Sequence, residues 1–532
     1  MPADKSKKHT DYQTLSAAGK NGGANSRDQV TLKPAVDQKK KDLTAKDLIN
    51  PQKQPEKEVS PQVIAEKPLL PEAVNFVSAS RDILPEKETT YAEKSKEKKK
   101  KKRIEKDREL LESDQWLKRS GHTLTYIGLY LFSILVFFRP YELIPALGFL
   151  STSALIFALV TLAIYIPTQL STEGTLTVLS TEVKCVLAMT LLALITMPIA
   201  KDPPTAWAMF NDTFIKAVLM FIVMVNVLRT RRRLMGLMWV SLSVGLYLSY
   251  VSLDLYLKGE FAVEGYRVGV EVKGLFGNPN DLALHLVMMT PIAFALALAS
   301  RNKLIRVGYF VMAGLFIGAN TVTFSRGGFL GLLATAGVMV WKLGRKSRLN
   351  ISIASIAIGG LFILLAPGNY GLRMLSIFIP GLDPVGSSDQ RRELLIRSLL
   401  VTARNPWGIG IGNFPIVGVR NLVTHNAFTQ VSSELGILGF AAYLIFMISP
   451  FRKLGAIERT LFDRDEHDWF YYMAIGLQAS IVGYMVSSFF VSVAYNWFIY
   501  YLIAYAVAFR RIYKLERNIE ETEKDAFGLQ VV

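Results

Sequence analysis

The strongest constraint on this chain is a series of apolar stretches long enough to cross a lipid bilayer. About 20 consecutive apolar residues span the hydrocarbon as a helix. Lipid offers no hydrogen-bond partners to the backbone, so such a stretch has little choice but to be helical. Hydropathy read in windows of that length predicts twelve spans, at 121–138, 143–166, 183–200, 211–228, 235–256, 281–300, 307–324, 328–343, 351–366, 426–449, 470–492 and 495–511. The expected fold is an all-α polytopic membrane protein.

Charge divides the 532 residues in two. Residues 1–120 hold 27 Lys and Arg and 20 Asp and Glu, against 34 and 24 in the other 412. The first part is too polar to bury a core and is expected to be a disordered cytoplasmic tail over 1–114. Its run Lys98-Lys99-Lys100-Lys101-Lys102-Arg103 precedes the first span and suits anionic lipid at the cytoplasmic face. Trp116 suits an interfacial position. The formal charge of +17 therefore belongs to a membrane protein, and no nucleic-acid partner is expected.

Basic loops set the orientation. Arg229, Arg231, Arg232 and Arg233 follow span 4, Arg301, Lys303 and Arg306 span 6, and Lys342, Arg345, Lys346 and Arg348 span 8. Arg452, Lys453, Arg459 and Arg464 follow span 10, and Arg510, Arg511, Lys514 and Arg517 span 12. With twelve spans all of these fall on the tail's side, which predicts cytoplasmic N- and C-termini. The resulting division is spans 1–9 over 115–366, a large outer loop over 367–425, spans 10–12 over 426–511, and a cytoplasmic tail over 512–532. The N-terminus has no secretory-signal pattern. The single cysteine, Cys185, excludes an intramolecular disulfide framework, and the five scattered histidines show no metal-ligand spacing, so no metal or other cofactor is expected.

The outer side should be poor in cations, and two of its loops are not. Residues 257–280 carry Lys258, Arg267 and Lys273, while 367–425 carry Arg373, Arg391, Arg392, Arg397, Arg404 and Arg420 and no lysine. Arg326 stands at the outer end between spans 7 and 8, within Ser325-Arg326-Gly327-Gly328. Arginine without lysine points to geometry, because a guanidinium fork matches two phosphate oxygens at once. Pairing with Asp383, Asp389 and Glu393, or contact with lipid headgroups, is the plainer reading of any one of them. Within the long loop, Asp389 is placed to cap a helix over about 390–403 that stops before Asn405-Pro406. Leu395, Leu399 and Thr402 share a face of that helix, which suits the membrane interface. Gly408-Ile409-Gly410-Ile411-Gly412-Asn413-Phe414 follows. It has no strand before it and so is not a dinucleotide loop; its glycines suit a tight turn and close backbone approach. His425, at the outer mouth of span 10, has the ring chemistry to take a proton from a hydroxyl. Glu434, inside that span, needs a partner or a polar cavity.

These motifs resemble the O-antigen ligase and polymerase superfamily. The resemblance rests on Arg267 with Lys273-Gly274-Leu275-Phe276-Gly277-Asn278-Pro279-Asn280-Asp281-Leu282-Ala283, and on Thr323-Phe324-Ser325-Arg326-Gly327-Gly328. Its most specific part is Asn405-Pro406-Trp407-Gly408-Ile409-Gly410-Ile411-Gly412-Asn413-Phe414, then His425-Asn426, then Glu434-Leu435-Gly436-Ile437-Leu438-Gly439. It covers roughly 210–450 and leaves out the charged tail. It implies a GT-C-like, metal-independent glycosyltransferase of the bacterial inner membrane. Such an enzyme moves a glycan from undecaprenyl diphosphate to a glycan, lipid A core or protein hydroxyl at the periplasmic face, in the company of polysaccharide-assembly proteins. By that resemblance His425 is catalytic, Arg267, Arg326 and Arg391 or Arg392 bind the diphosphate, and Asn280, Asn426 and Glu434 support them. Two other readings remain open from the sequence: a transporter or flippase for an anionic lipid-linked glycan, and a non-catalytic assembly subunit docking through its tail.

Overall fold

The computed structural model describes residues 116–138, 153–261, 263–270, 276–346, 348–366, 370–377 and 387–526. The charged tail over 1–114, its basic run, and Lys273-Gly274-Leu275 lie outside the described residues. Helix dominates, with no strand among the described residues. In chain order the long helices are α1 (Trp116–Phe137), α2 (Ser153–Glu173) and α3 (Thr181–Thr196). A short α4 (Pro203–Met209) runs through a π-helical turn (Phe210–Phe214) into α5 (Ile215–Val227). Then come α6 (Arg231–Lys258), α7 (Pro279–Ala299), α8 (Lys303–Val322), α9 (Arg326–Leu343) and α10 (Arg348–Leu365). The long loop contributes α11 (Tyr370–Leu375), α12 (Ser387–Arg404) and α13 (Phe414–Val417). The last four are α14 (Ala427–Glu434), α15 (Gly436–Asp463), α16 (Trp469–Ser487) and α17 (Trp497–Ala526). Seven helical segments among the described residues are long and apolar enough to cross a membrane.

The helix boundaries follow local chemistry. Thr230, Asn278, Asn302, Ser325 and Asp468 each accept a backbone N–H from the first turn of the helix they precede. Pro279 stands at the first position of α7, where a missing N–H costs nothing. Helix α6 ends on Gly259 in the left-handed conformation. The centre of the bundle is α7, packed against α8, α9 and α16. Small residues set the close approach of these helices, as in other membrane interfaces. A Cβ on Gly331 of α9 would stand 1.9 Å from Ser487 Oγ and 3.0 Å from Val287.

Several segment boundaries differ from the sequence reading, with α15 and α17 running past 449 and 511 to Asp463 and Ala526. Helix α2 runs on through the polar turn Thr168–Glu173. Glu173 can stay there because Arg229 and Arg511 reach it at 2.8 and 2.6 Å. The apolar stretch 426–449 is two helices, broken where Gly436 takes φ +74°. Helix α12 begins at Ser387, so Asp389 lies in its first turn instead of capping it.

The basic-loop side carries further buried carboxylates. Glu182 receives Arg510 and Lys453 at 2.8 and 3.0 Å. Glu458 receives Lys342 and Arg345, both at 2.8 Å. A buried carboxylate held by two cations is satisfied electrostatically, so these basic residues tie helices together as well as marking a side.

Candidate functional site

Three arginines far apart in sequence converge at the end of the bundle opposite those pairs. Arg267 follows a turn closed by the reciprocal backbone bonds of Val263 and Arg267, at 3.3 and 3.0 Å. The residue is only 5% exposed. Nε donates to the Thr323 carbonyl at 3.0 Å, and one terminal nitrogen donates to Asn280 Oδ1 at 2.9 Å. Asn280 Oδ1 also accepts the Ser325 hydroxyl at 2.9 Å. Ser325 caps α9, and Arg326 is that helix's first residue. Asn280 therefore ties the loop carrying Arg267 to the helix start carrying Arg326. Arg326 is itself buried.

The third member comes from α12. Its inward face is Leu394, Ser398 and Val401, packed on Ile409 and Phe414. Of the residues expected on its interfacial face, Leu399 is exposed, while Thr402 meets the Ser432 hydroxyl at 3.0 Å. This rotation separates the adjacent arginines. Arg392 is exposed, while Arg391 lies in the field of Arg267 and Arg326. Burial, and then the positive charges of Arg267, Arg326 and Arg373, hold Arg391 down at about 10 from 12.5. Arg267 is also lowered, chiefly by burial and against the pull of Glu264. Packing like charges out of water is unfavourable unless an anion joins them, and guanidinium groups so placed suit a phosphate-rich ligand.

His425 stands beside this cluster. Its φ of +50° is a left-handed backbone rare outside glycine. The residues on either side hold it there. Thr424 Oγ1 donates to the Asn426 carbonyl at 2.9 Å. Asn426 Oδ1 caps α14 by accepting the N–H groups of Phe428 and Thr429 at 2.9 and 3.1 Å. Burial first, and then the Arg391 charge, lower the His425 pKa below its ordinary value. The ring is thereby kept neutral and able to accept a proton at neutral pH.

Glu434 reaches the cluster indirectly, as an anchor for the glycine-rich segment. Its two carboxyl oxygens accept the N–H groups of Gly412 and Phe414 at 2.9 and 3.3 Å. Backbone bonds from Ile409 to Ser433, Gly410 to Glu434 and Ile437 to Pro406, at 3.0, 3.0 and 2.9 Å, zip the same two segments. Gly408 and Gly436 make the contact sterically possible. A Cβ on Gly408 would fall 2.4 Å from Glu434 O, and one on Gly436 would fall 2.3 Å from Pro406 O. Asn413 extends the zip to the α3–α4 connection, accepting the Asp202 N–H at 2.6 Å. The loop thus fixes α12, with Arg391, relative to α14, whose start carries His425.

The structure brings Arg267, Arg326, Arg391, Asn280, His425 and Asn426 into one region, with Glu434 behind the loop that frames it. Arg392 is turned away. Sequence reasoning left out Glu264, which approaches Arg267 and Arg373 at 3.5 and 3.1 Å. The only signal available was its place two residues before Tyr266-Arg267, in a loop that also carries Glu260 and Glu271. No group of three His, Cys, Asp or Glu residues able to share a metal ion occurs among the described residues. No protein-family model and no curated protein matches this sequence.

Proposed function

We propose that this chain is an inner-membrane glycosyltransferase of the O-antigen ligase or polymerase type, transferring a glycan from undecaprenyl diphosphate to an acceptor hydroxyl at the periplasmic face. The observation that carries the reading is the convergence of Arg267, Arg326 and Arg391 beside a proton-accepting His425 at the end of the bundle away from the paired basic loops. In this reading the bundle is a GT-C-like fold of about twelve spans, both termini are cytoplasmic, and the long loop is a periplasmic subdomain.

The chemistry follows from the placement. The donor's lipid lies between helices and its diphosphate meets the arginines. The acceptor oxygen attacks the anomeric carbon as the bond from that carbon to the diphosphate oxygen breaks. The leaving diphosphate takes the bonding electrons, and its growing charge is met by guanidinium groups already in position. His425 takes the acceptor's proton. A single displacement inverts the anomeric configuration. Asn280 keeps Arg267 and Arg326 in register, Asn426 holds the His425 backbone, and Glu434 holds the loop that sets the distance between Arg391 and His425.

The test is to incubate purified protein in lipid with undecaprenyl-diphosphate oligosaccharide and candidate glycan, lipid-core and peptide acceptors. Growth of the donor chain alone identifies a polymerase. Transfer to a lipid core or peptide identifies a ligase or protein transferase. A protein that moves intact donor across the bilayer without breaking the glycan–phosphate bond refutes the transfer reading.

A further inference from the structure

We propose that Arg373 is a fourth arginine of the polyanion site and that Glu264 is its resident counter-anion, a carboxylate that holds Arg267 and Arg373 in place until a diphosphate displaces it. The inference rests on the diphosphate reading of the site.

Glu264 occupies its turn at φ +54° and is followed by Gly265 at φ +72°. A left-handed backbone at a residue with a Cβ is unfavourable, and here it puts a carboxylate between two arginines. Arg373 donates to Glu264 Oε2 at 3.1 Å, Arg267 approaches Oε1 at 3.5 Å, and the Tyr266 hydroxyl donates to Oε2 at 2.6 Å. The Arg373 guanidinium also lies over the Tyr266 ring, 5.0 Å from its centre.

The same two arginines support Arg326. Arg267 Nε binds the carbonyl of Thr323, and Arg373 Nε binds the next carbonyl, Phe324, at 2.9 Å. Phe324 is itself strained, at φ +49°, immediately before the Ser325 cap. Each arginine thus spends Nε on the turn that presents Arg326 and turns a terminal nitrogen to Glu264. Carboxylate and phosphate oxygens are interchangeable acceptors for a guanidinium fork. The Glu264 side chain keeps 21% of its exposure, so it lies at the rim of the cluster.

Charge decides which anion wins. Arg267, Arg326, Arg373 and Arg391 act on one another across the site with Glu264 as the acid among them. A monoanion replacing Glu264 gains little that the carboxylate did not already supply. An anion long enough to reach the remaining arginines gains more, so Glu264 acts as a filter for diphosphate over monophosphate.

The experiment measures binding of inorganic pyrophosphate and inorganic phosphate to the purified full chain in lipid nanodiscs, for wild type, Glu264→Gln, Arg373→Gln and Arg373→Lys. Wild type should prefer pyrophosphate. Glu264→Gln should raise phosphate affinity about tenfold and narrow the preference, since a charged competitor is gone. Arg373→Gln should weaken pyrophosphate about tenfold and flatten its dependence on salt. Arg373→Lys, which keeps charge and a donor for Phe324 O, should fall between and guards against a merely misfolded variant. Wild-type binding with both affinities unchanged in Glu264→Gln and in Arg373→Lys overturns the inference and leaves the diphosphate site standing. Failure of wild type to bind pyrophosphate overturns both.

Discussion

Replacing Arg391 by methionine should stabilise the outer subdomain and disable the site in one step. Arg391 is held at about 10 from 12.5 by burial and by its three arginine neighbours. At neutral pH a guanidinium is protonated in both the folded and the unfolded chain, so a lowered folded value means the fold disfavours the charge. The difference corresponds to about 3 kcal/mol, and solvent reaching the outer atoms reduces this to about 1–3 kcal/mol. The cost is present at every pH below about 10 and is relieved only above it. Methionine removes the charge and keeps most of the length of the side chain. Amide exchange in α12 should therefore slow by about 5- to 100-fold in the ligand-free variant, at about tenfold per 1.4 kcal/mol. Pyrophosphate at about 100 times its Kd should slow exchange in wild type by a comparable 2.7 kcal/mol, and should do little in the variant. Faster exchange in Arg391→Met, or equal protection of both proteins by pyrophosphate, would refute the electrostatic account of the cluster.

Three further perturbations separate the roles of the other residues. His425→Ala should lower transfer by about 10²–10⁴-fold while pyrophosphate binding stays near wild type, measured by product formation and calorimetry on the same preparation. Because burial and Arg391 lower the His425 pKa, activity should persist on acidification to below the ordinary histidine value of about 6.5; Arg391→Gln should move that acid limb upward, read from the pH profile of residual transfer. Glu434→Gln can accept only one of the two N–H groups of Gly412 and Phe414, leaving a buried donor that costs about 1–3 kcal/mol, visible as faster amide exchange at those residues together with slower transfer.

Much of the helical architecture was legible because lipid forces apolar stretches into helices; helices occupy most of the described part of the expected stretches, and seven segments are long and apolar enough to cross a membrane. What hydropathy missed has a local physical cause in each case. A window averages across Leu435 and Gly436, so the break between α14 and α15 is invisible to it, although the left-handed Gly436 is what admits Pro406 and Trp407. At the polar end of α2, Glu173 is held by Gln169 within the helix and by Arg229 and Arg511, which are remote in sequence.

At the site, residue type was readable and orientation was not. Arg391 and Arg392 are chemically identical neighbours, and the inward packing of Leu394, Ser398 and Val401 alone decides which one enters the cluster. Glu434 looked like an intramembrane carboxylate in search of a partner. Two of its partners are the backbone N–H groups of Gly412 and Phe414, some twenty residues away, which carry no side-chain signature. Glu264 offered only its nearness to Arg267, since its second partner, Arg373, lies more than a hundred residues later.

The most direct test of the central claim is a single-turnover reaction of donor oligosaccharide on undecaprenyl diphosphate with acceptor, following the anomeric configuration of the product. Inverted product from wild type, none from His425→Ala, and sharply reduced donor binding in Arg267→Gln and Arg326→Gln are the predicted results. Retained configuration, or wild-type turnover by His425→Ala, would contradict the account.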